Sequence, residues 1–188
     1  VGHYDIELIA EYDASLPASL VPAPESLKDA CRVSFDPRML VERVVTGVGF
    51  PAVRIPVIAE SLGALSGFRF ELEYPDFLDV DPVSGLLLEG LGAPTSVSFT
   101  IENGLSVGTL RAIVDVSGAT IPVDQDGDGF SDGQVVLGTL VGSLPENFGI
   151  VGEHDLTFRG DSLLRFRDAG EIAVATEGAQ LVVRRRFA

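Results

Sequence analysis

Tyr4-Asp5-Ile6-Glu7-Leu8-Ile9-Ala10-Glu11-Tyr12 stands near the start of the chain in strict two-residue alternation. Tyr4, Ile6, Leu8, Ala10 and Tyr12 fall on one face, and Asp5, Glu7 and Glu11 on the other. Successive side chains of a strand point to opposite faces, so this is a half-buried strand at the chain terminus. A Pro-rich stretch follows from Pro17 to Pro24 and has the composition of a linker or a strand-to-strand crossing. Ser26 to Ala30 has the length of one short helical turn, and Arg32 to Val45 suggests a strand pair around Phe35-Asp36-Pro37.

Beyond this the strand signals recur at short intervals. They cover Val53–Ala59, Gly67–Tyr74, Leu78–Val80, Leu86–Leu88, Ser96–Glu102, Gly108–Val116, Val135–Leu140, Asp155–Phe158, Leu163–Phe166, Glu171–Ala175 and Gln180–Arg184. Gly, Pro, Asp, Asn and Ser separate them, the residues that supply turn geometry. There is no alternation of strands with helices and no helical pattern of ten residues or more. Many short strands so spaced predict an all-β chain, a jelly-roll or immunoglobulin-like β-sandwich with an N-terminal β-strand extension. The division that follows is residues 1–50 as extension and residues 51–188 as sandwich. Val33–Val41 also echoes Leu72–Val80, each placing an aromatic beside Asp and Pro ahead of Leu and Val.

Composition agrees. The 188 residues are 46% hydrophobic, enough for a packed core, and 21 Gly and 11 Pro beside a single Met favour turns over helices. The formal charge of -15 repels phosphate backbones and anionic membrane surfaces, which argues against nucleic acid as a partner. The natural counter-charge is a metal cation. One cysteine, Cys31, cannot form an intrachain disulfide and suits a small buried hydrophobe. The longest charge-free run, Gly133 to Pro145, carries three glycines and ends in a proline, so membrane insertion is not expected. A start at Val1 suits a processed mature form.

Several strands, taken in order, resemble a cohesin-type domain. They are Val53-Arg54-Ile55-Pro56-Val57, Gly67–Tyr74, Leu78-Asp79-Val80, Gly85-Leu86-Leu87 and Gly108–Ala112, then Phe166–Val174 and Gly178–Val183. The resemblance covers about Val53 to Val183. It implies a jelly-roll sandwich used for protein–protein attachment, often at cell surfaces or in extracellular assemblies; related sandwiches bind polysaccharide. The first fifty residues lie outside it, and no position matches a partner-recognition motif.

The stretch Asp124-Gln125-Asp126-Gly127-Asp128-Gly129-Phe130-Ser131-Asp132 carries a chemical signal of its own. Calcium takes six to eight oxygen ligands, and side chains at loop positions 1, 3 and 5 converge when a glycine at position 6 permits the turn. Those positions are Asp124, Asp126, Asp128 and Gly129; the Phe130 carbonyl and Asp132 follow at positions 7 and 9. Four carboxylates this close repel one another unless a cation sits between them. The pattern resembles loops of EF-hands, dockerins and thrombospondin type 3 repeats. Position 12, the bidentate Glu of an EF-hand, is Val135, which begins a strand. Water or another carboxylate must complete the shell, with Asp115 and Glu102 as candidates. Such a loop suits millimolar extracellular Ca2+ and acts as a staple between the strand ending at Val123 and the one near Val135.

Nothing points to catalysis. His3 and His154 are the only histidines, and no nucleophile elbow, zinc-protease motif or phosphate loop is present. Arg184-Arg185-Arg186 has the character of a solvated strand end. Three functions remain for an extracellular or cell-surface module. One is self-association into a homo-oligomer or filament, with Tyr4–Tyr12 donated to a neighbour's sheet; its alternative is pairing of that strand within its own sandwich. The second is a docking or adhesion module for another secreted protein. The third, a carbohydrate-binding module, is weakened by the absence of Trp and by only three Tyr.

Overall fold

The computed structural model describes residues 3–10, 32–35, 42–45, 53–61, 65–88, 91–120, 133–144, 151–167 and 170–185. The strands are β1 (His3–Ala10), β2 (Arg32–Phe35), β3 (Glu42–Val45), β4 (Val53–Ser61), β5 (Leu65–Pro75), β6 (Asp79–Val80) and β7 (Leu86–Leu87). They continue with β8 (Ser96–Asn103), β9 (Thr109–Ser117), β10 (Gly133–Ser143), β11 (Gly152–Phe166), β12 (Gly170–Thr176) and β13 (Ala179–Arg185). The chain is all-β, and among the described residues there is no helix.

One layer runs β8-β9-β5-β11 and the other β2-β4-β10-β6, with β7 also on β10. β12 joins them, antiparallel to β11 and parallel to β2. Alternation explains the packing. Along β5, Phe68, Phe70, Leu72 and Tyr74 point inward and are fully buried, while Arg69 and Glu71 point outward. Ile55, Val57 and Leu137 supply the facing layer. Phe35 of β2 stacks on Phe158 of β11 at 5.0 Å, and Phe70 meets the same ring edge-on at 6.1 Å. These contacts close the sandwich across its core.

Three features differ from the sequence-based expectations. Arg32–Val45 does not form a local pair: β2 lies between β12 and β4, whereas β3 lies on β1. β2 precedes residue 51, yet Val33 and Phe35 are fully buried in the sandwich. Asp155–Phe158 and Leu163–Phe166 are parts of the single strand β11, whose pairing with β5 shifts between Arg159 and Leu163. Gly160, at φ 64°, supplies the left-handed backbone inside that irregular stretch. His154 lies within β11, its ring edge-on to Phe77 at 4.6 Å.

The terminal alternating strand is paired within its own chain on both sides. Ile6 and Leu8 are buried opposite Val183 and Leu181 of β13, and β3 takes the other side over His3–Ile6. Over the described residues His3–Ala10, β1 completes its own sheet, the alternative to strand donation, while Glu11 and Tyr12 lie outside the described residues.

Candidate functional site

The outer face of β8-β9-β5-β11 carries the chain's densest set of described polar contacts. The register brings Glu102 and Arg111 opposite each other, and Arg111 opposite Glu73. Arg111 donates to Glu102 Oε2 at 2.7 Å and to Glu71 Oε2 at 3.2 Å, and Arg69 donates to Glu71 Oε1 at 3.1 Å. The carboxylates around Arg111, Glu102 foremost, raise its pKa.

Arg165 spans four strands. It donates to Glu171 on β12 at 2.7 Å, to Asp115 on β9 at 2.6 Å and to the Val116 carbonyl at 2.9 Å. Between β11 and β9 lies β5, and the residue beneath the side chain is Gly67. A Cβ there would meet the Val116 carbonyl and lie 3.2 Å from Arg165 Cδ. A glycine inside a strand is the local signal for such a close approach.

Glu73 is the buried member of the network, with its side chain only 3% exposed. Arg159 Nε donates to its Oε2 at 2.6 Å; the Ser106 N–H and the Thr109 hydroxyl reach Oε1 at 2.9 and 2.7 Å. Burial pushes the Glu73 pKa up, but these donors together outweigh it and hold the group at about 2. A carboxylate so firmly ionised is no general acid at neutral pH. Its effect is positional. It fixes the tight β8–β9 connection, where the Gly104 N–H donates to Thr109 O at 3.0 Å and Gly108 adopts φ 77°. The tip of that connection presents Leu105 at 69% exposure and a fully exposed Val107.

Asp124, Asp126, Asp128, Phe130 and Asp132 lie outside the described residues. The flanks are placed: Thr120 bridges Gly92 after β9, and β10 begins at Gly133 in the other layer. Asp115 and Glu102, the candidate additional ligands, are ion-paired with Arg165 and Arg111. Among the described residues no three His, Cys, Asp or Glu side chains form a group suited to a metal ion. Among them, too, no helix is long and apolar enough to cross a membrane.

No family model matches this chain, and no curated protein does. Solved structures similar to it are cohesins. One is a non-cellulosomal cohesin from the hyperthermophilic archaeon Archaeoglobus fulgidus: 17% identity, 73% of this chain and 81% of that one, TM-score 0.41. A second is a type II cohesin domain from the cellulosome of Acetivibrio cellulolyticus: 12% identity, 81% and 93%, TM-score 0.41. A third is in a type I cohesin–dockerin complex from Clostridium thermocellum: 16% identity, 73% and 86%, TM-score 0.39.

Proposed function

We propose that this chain is a non-catalytic docking module that holds another protein on the outer face of β8-β9-β5-β11. The observation that carries this reading is the ordered ion-pair lattice on that face. Arg69, Arg111, Arg159 and Arg165 are already held by carboxylates, so a partner would immobilise them at reduced entropic cost. Arginine is favoured at protein interfaces, and Leu105 and Val107 at the rim supply apolar anchors on a pinned loop. An extracellular or cell-surface setting accords with this role and with a calcium site at Asp124, Asp126, Asp128, Phe130 and Asp132. That site rests on its spacing alone. A structural Ca2+ there would brace the connection from β9 to β10. A carbohydrate-binding role is less well supported, since Tyr74, one of three tyrosines, is fully buried.

The test is capture from the native extracellular fraction on immobilised chain, with three baits. A discrete protein retained by wild type and by Arg54→Glu on β4, but lost with Arg69→Glu plus Arg111→Glu, is the expected result. Retention that ignores the β5–β9 charges, or no retained protein, overturns the proposal.

A further inference from the structure

Sheet edges expose backbone donors and acceptors, and proteins normally blunt them with Lys, Pro, bulges or short length. β8 has none of these. It runs eight residues in unbroken register with β9, its sequence is Ser-Val-Ser-Phe-Thr-Ile-Glu-Asn, and no charge occurs before Glu102. Among the described residues its only strand partner is β9.

The phase of the ladder shows what the β8 edge away from β9 offers. The β8–β9 register runs to Asn103 opposite Leu110, and one step beyond it the Gly104 N–H donates to Thr109 O. Direct pairs alternate along an antiparallel ladder, so the even-numbered residues of β8 bond to β9. The N–H and C=O groups of Val97, Phe99 and Ile101 therefore point away from it. The side chains of these same residues lie on the core side, opposite Val116, Val114 and Ala112. They are incompletely covered: Val97 is 47% exposed, and Phe99 and Ile101 are only partly buried.

We infer that β8 pairs antiparallel with β8 of a second copy, about a two-fold axis at Phe99. Only a register in which paired residue numbers have an even sum keeps both cores on the same side of the shared sheet. Centred on Phe99, that register sets Phe99 against Phe99, Val97 against Ile101, Ser98 against Thr100, and Ser96 against Glu102. Like side chains meet on the core side, hydroxyls meet on the outer side, and no two carboxylates are opposed. The patch is complementary to itself, as an isologous interface requires. An uncharged edge also has nothing with which to select a charged foreign strand. Each copy carries -15 overall, so screening by salt assists the association. The inference is independent of the docking proposal, although the pairing would join two outer faces into one continuous sheet.

The experiment is sedimentation equilibrium of the full chain at roughly 5–500 μM, the range of a weak edge interface, in low salt and in 0.5 M NaCl. The variants are Val97→Lys, which places a charge at the edge, and Val97→Pro, which removes only an edge-facing N–H. Val136→Lys on β10 is the control. Expected are a dimer strengthened by salt, a dissociation constant raised at least tenfold by either Val97 variant, and no change with the control. In a Cys31→Ser background, Phe99→Cys should give a covalent dimer under mild oxidation. A monomer throughout, or a dimer indifferent to both folded Val97 variants, overturns the inference.

Discussion

Replacing Glu73 by Gln removes one charge from the network almost without changing shape. Glu73 is nearly fully buried, and its pKa falls from the ordinary 4.5 to about 2 because the donors outweigh desolvation. At 1.36 kcal/mol per unit that shift corresponds to roughly 3 kcal/mol of native stability at neutral pH. Arg159 is one-third exposed, so water recovers part of its loss in the variant, and we expect a cost of about 2 kcal/mol. For a chain of this size the melting temperature should fall by roughly 4–8 °C. The pH dependence is more diagnostic. Because the folded pKa is depressed, the stability is present above pH 4.5 and is lost as pH falls toward 2. Wild type and Glu73→Gln should therefore differ at pH 7, and the gap should shrink to about a quarter of that near pH 2.5. Urea unfolding followed by far-ultraviolet circular dichroism suits a chain without tryptophan. In parallel, the Ser106 amide, bonded to Glu73, should exchange faster in Glu73→Ala. An equal gap at both pH values would show that the ionised carboxylate does not hold the loop.

Three further outcomes can be measured. Phe158→Ala deletes the ring that meets both Phe35 and Phe70, and should cost about 3–5 kcal/mol in denaturant unfolding. Gly67→Ala drives a methyl into β9 backbone and the Arg165 side chain, so a loss of about 1–3 kcal/mol should accompany weakened Arg165–Asp115 pairing; wild-type stability would contradict this. If Asp124–Asp132 binds calcium with a dissociation constant near 1 mM, then 10 mM Ca2+ should add about 1.4 kcal/mol over EDTA. Asp128→Asn should reduce that gain, and a melting temperature indifferent to EDTA would remove the structural-calcium reading.

The strands were legible because half-buried strands write their period into the chain. Leu65–Pro75 alternates almost without fault, and its inward members are the core. Boundaries moved by up to three residues where pairing continued past the apolar pattern, as in β10, which extends from Gly133 to Ser143. Two features resisted. Gly160 looked like a turn between two strands, because a glycine bulge and a hairpin carry the same local signal. The separation of β2 from β3 was invisible, because neighbouring segments of similar pattern give no hint that they join different partners.

The outer face illustrates why a docking surface is harder to read than a metal loop. Asp124–Asp132 announces itself through spacing within nine residues. Glu73 and Arg159 are 86 residues apart, and Asp115 and Arg165 are 50 apart, so only strand register makes them partners. Once paired, they change the electrostatics of the molecule. Among the described residues, four guanidiniums meet five carboxylates in this network, so it is close to charge balance within a chain of net charge -15. A protein carrying acidic groups is therefore repelled from most of the surface and least from this face. Charge balance thus narrows the direction of approach before any specific contact forms. Reversing Arg69 and Arg111 should slow association more than it speeds release, and raising the salt should shrink that difference. A dissociation-only effect would instead mean that these arginines act solely as contacts.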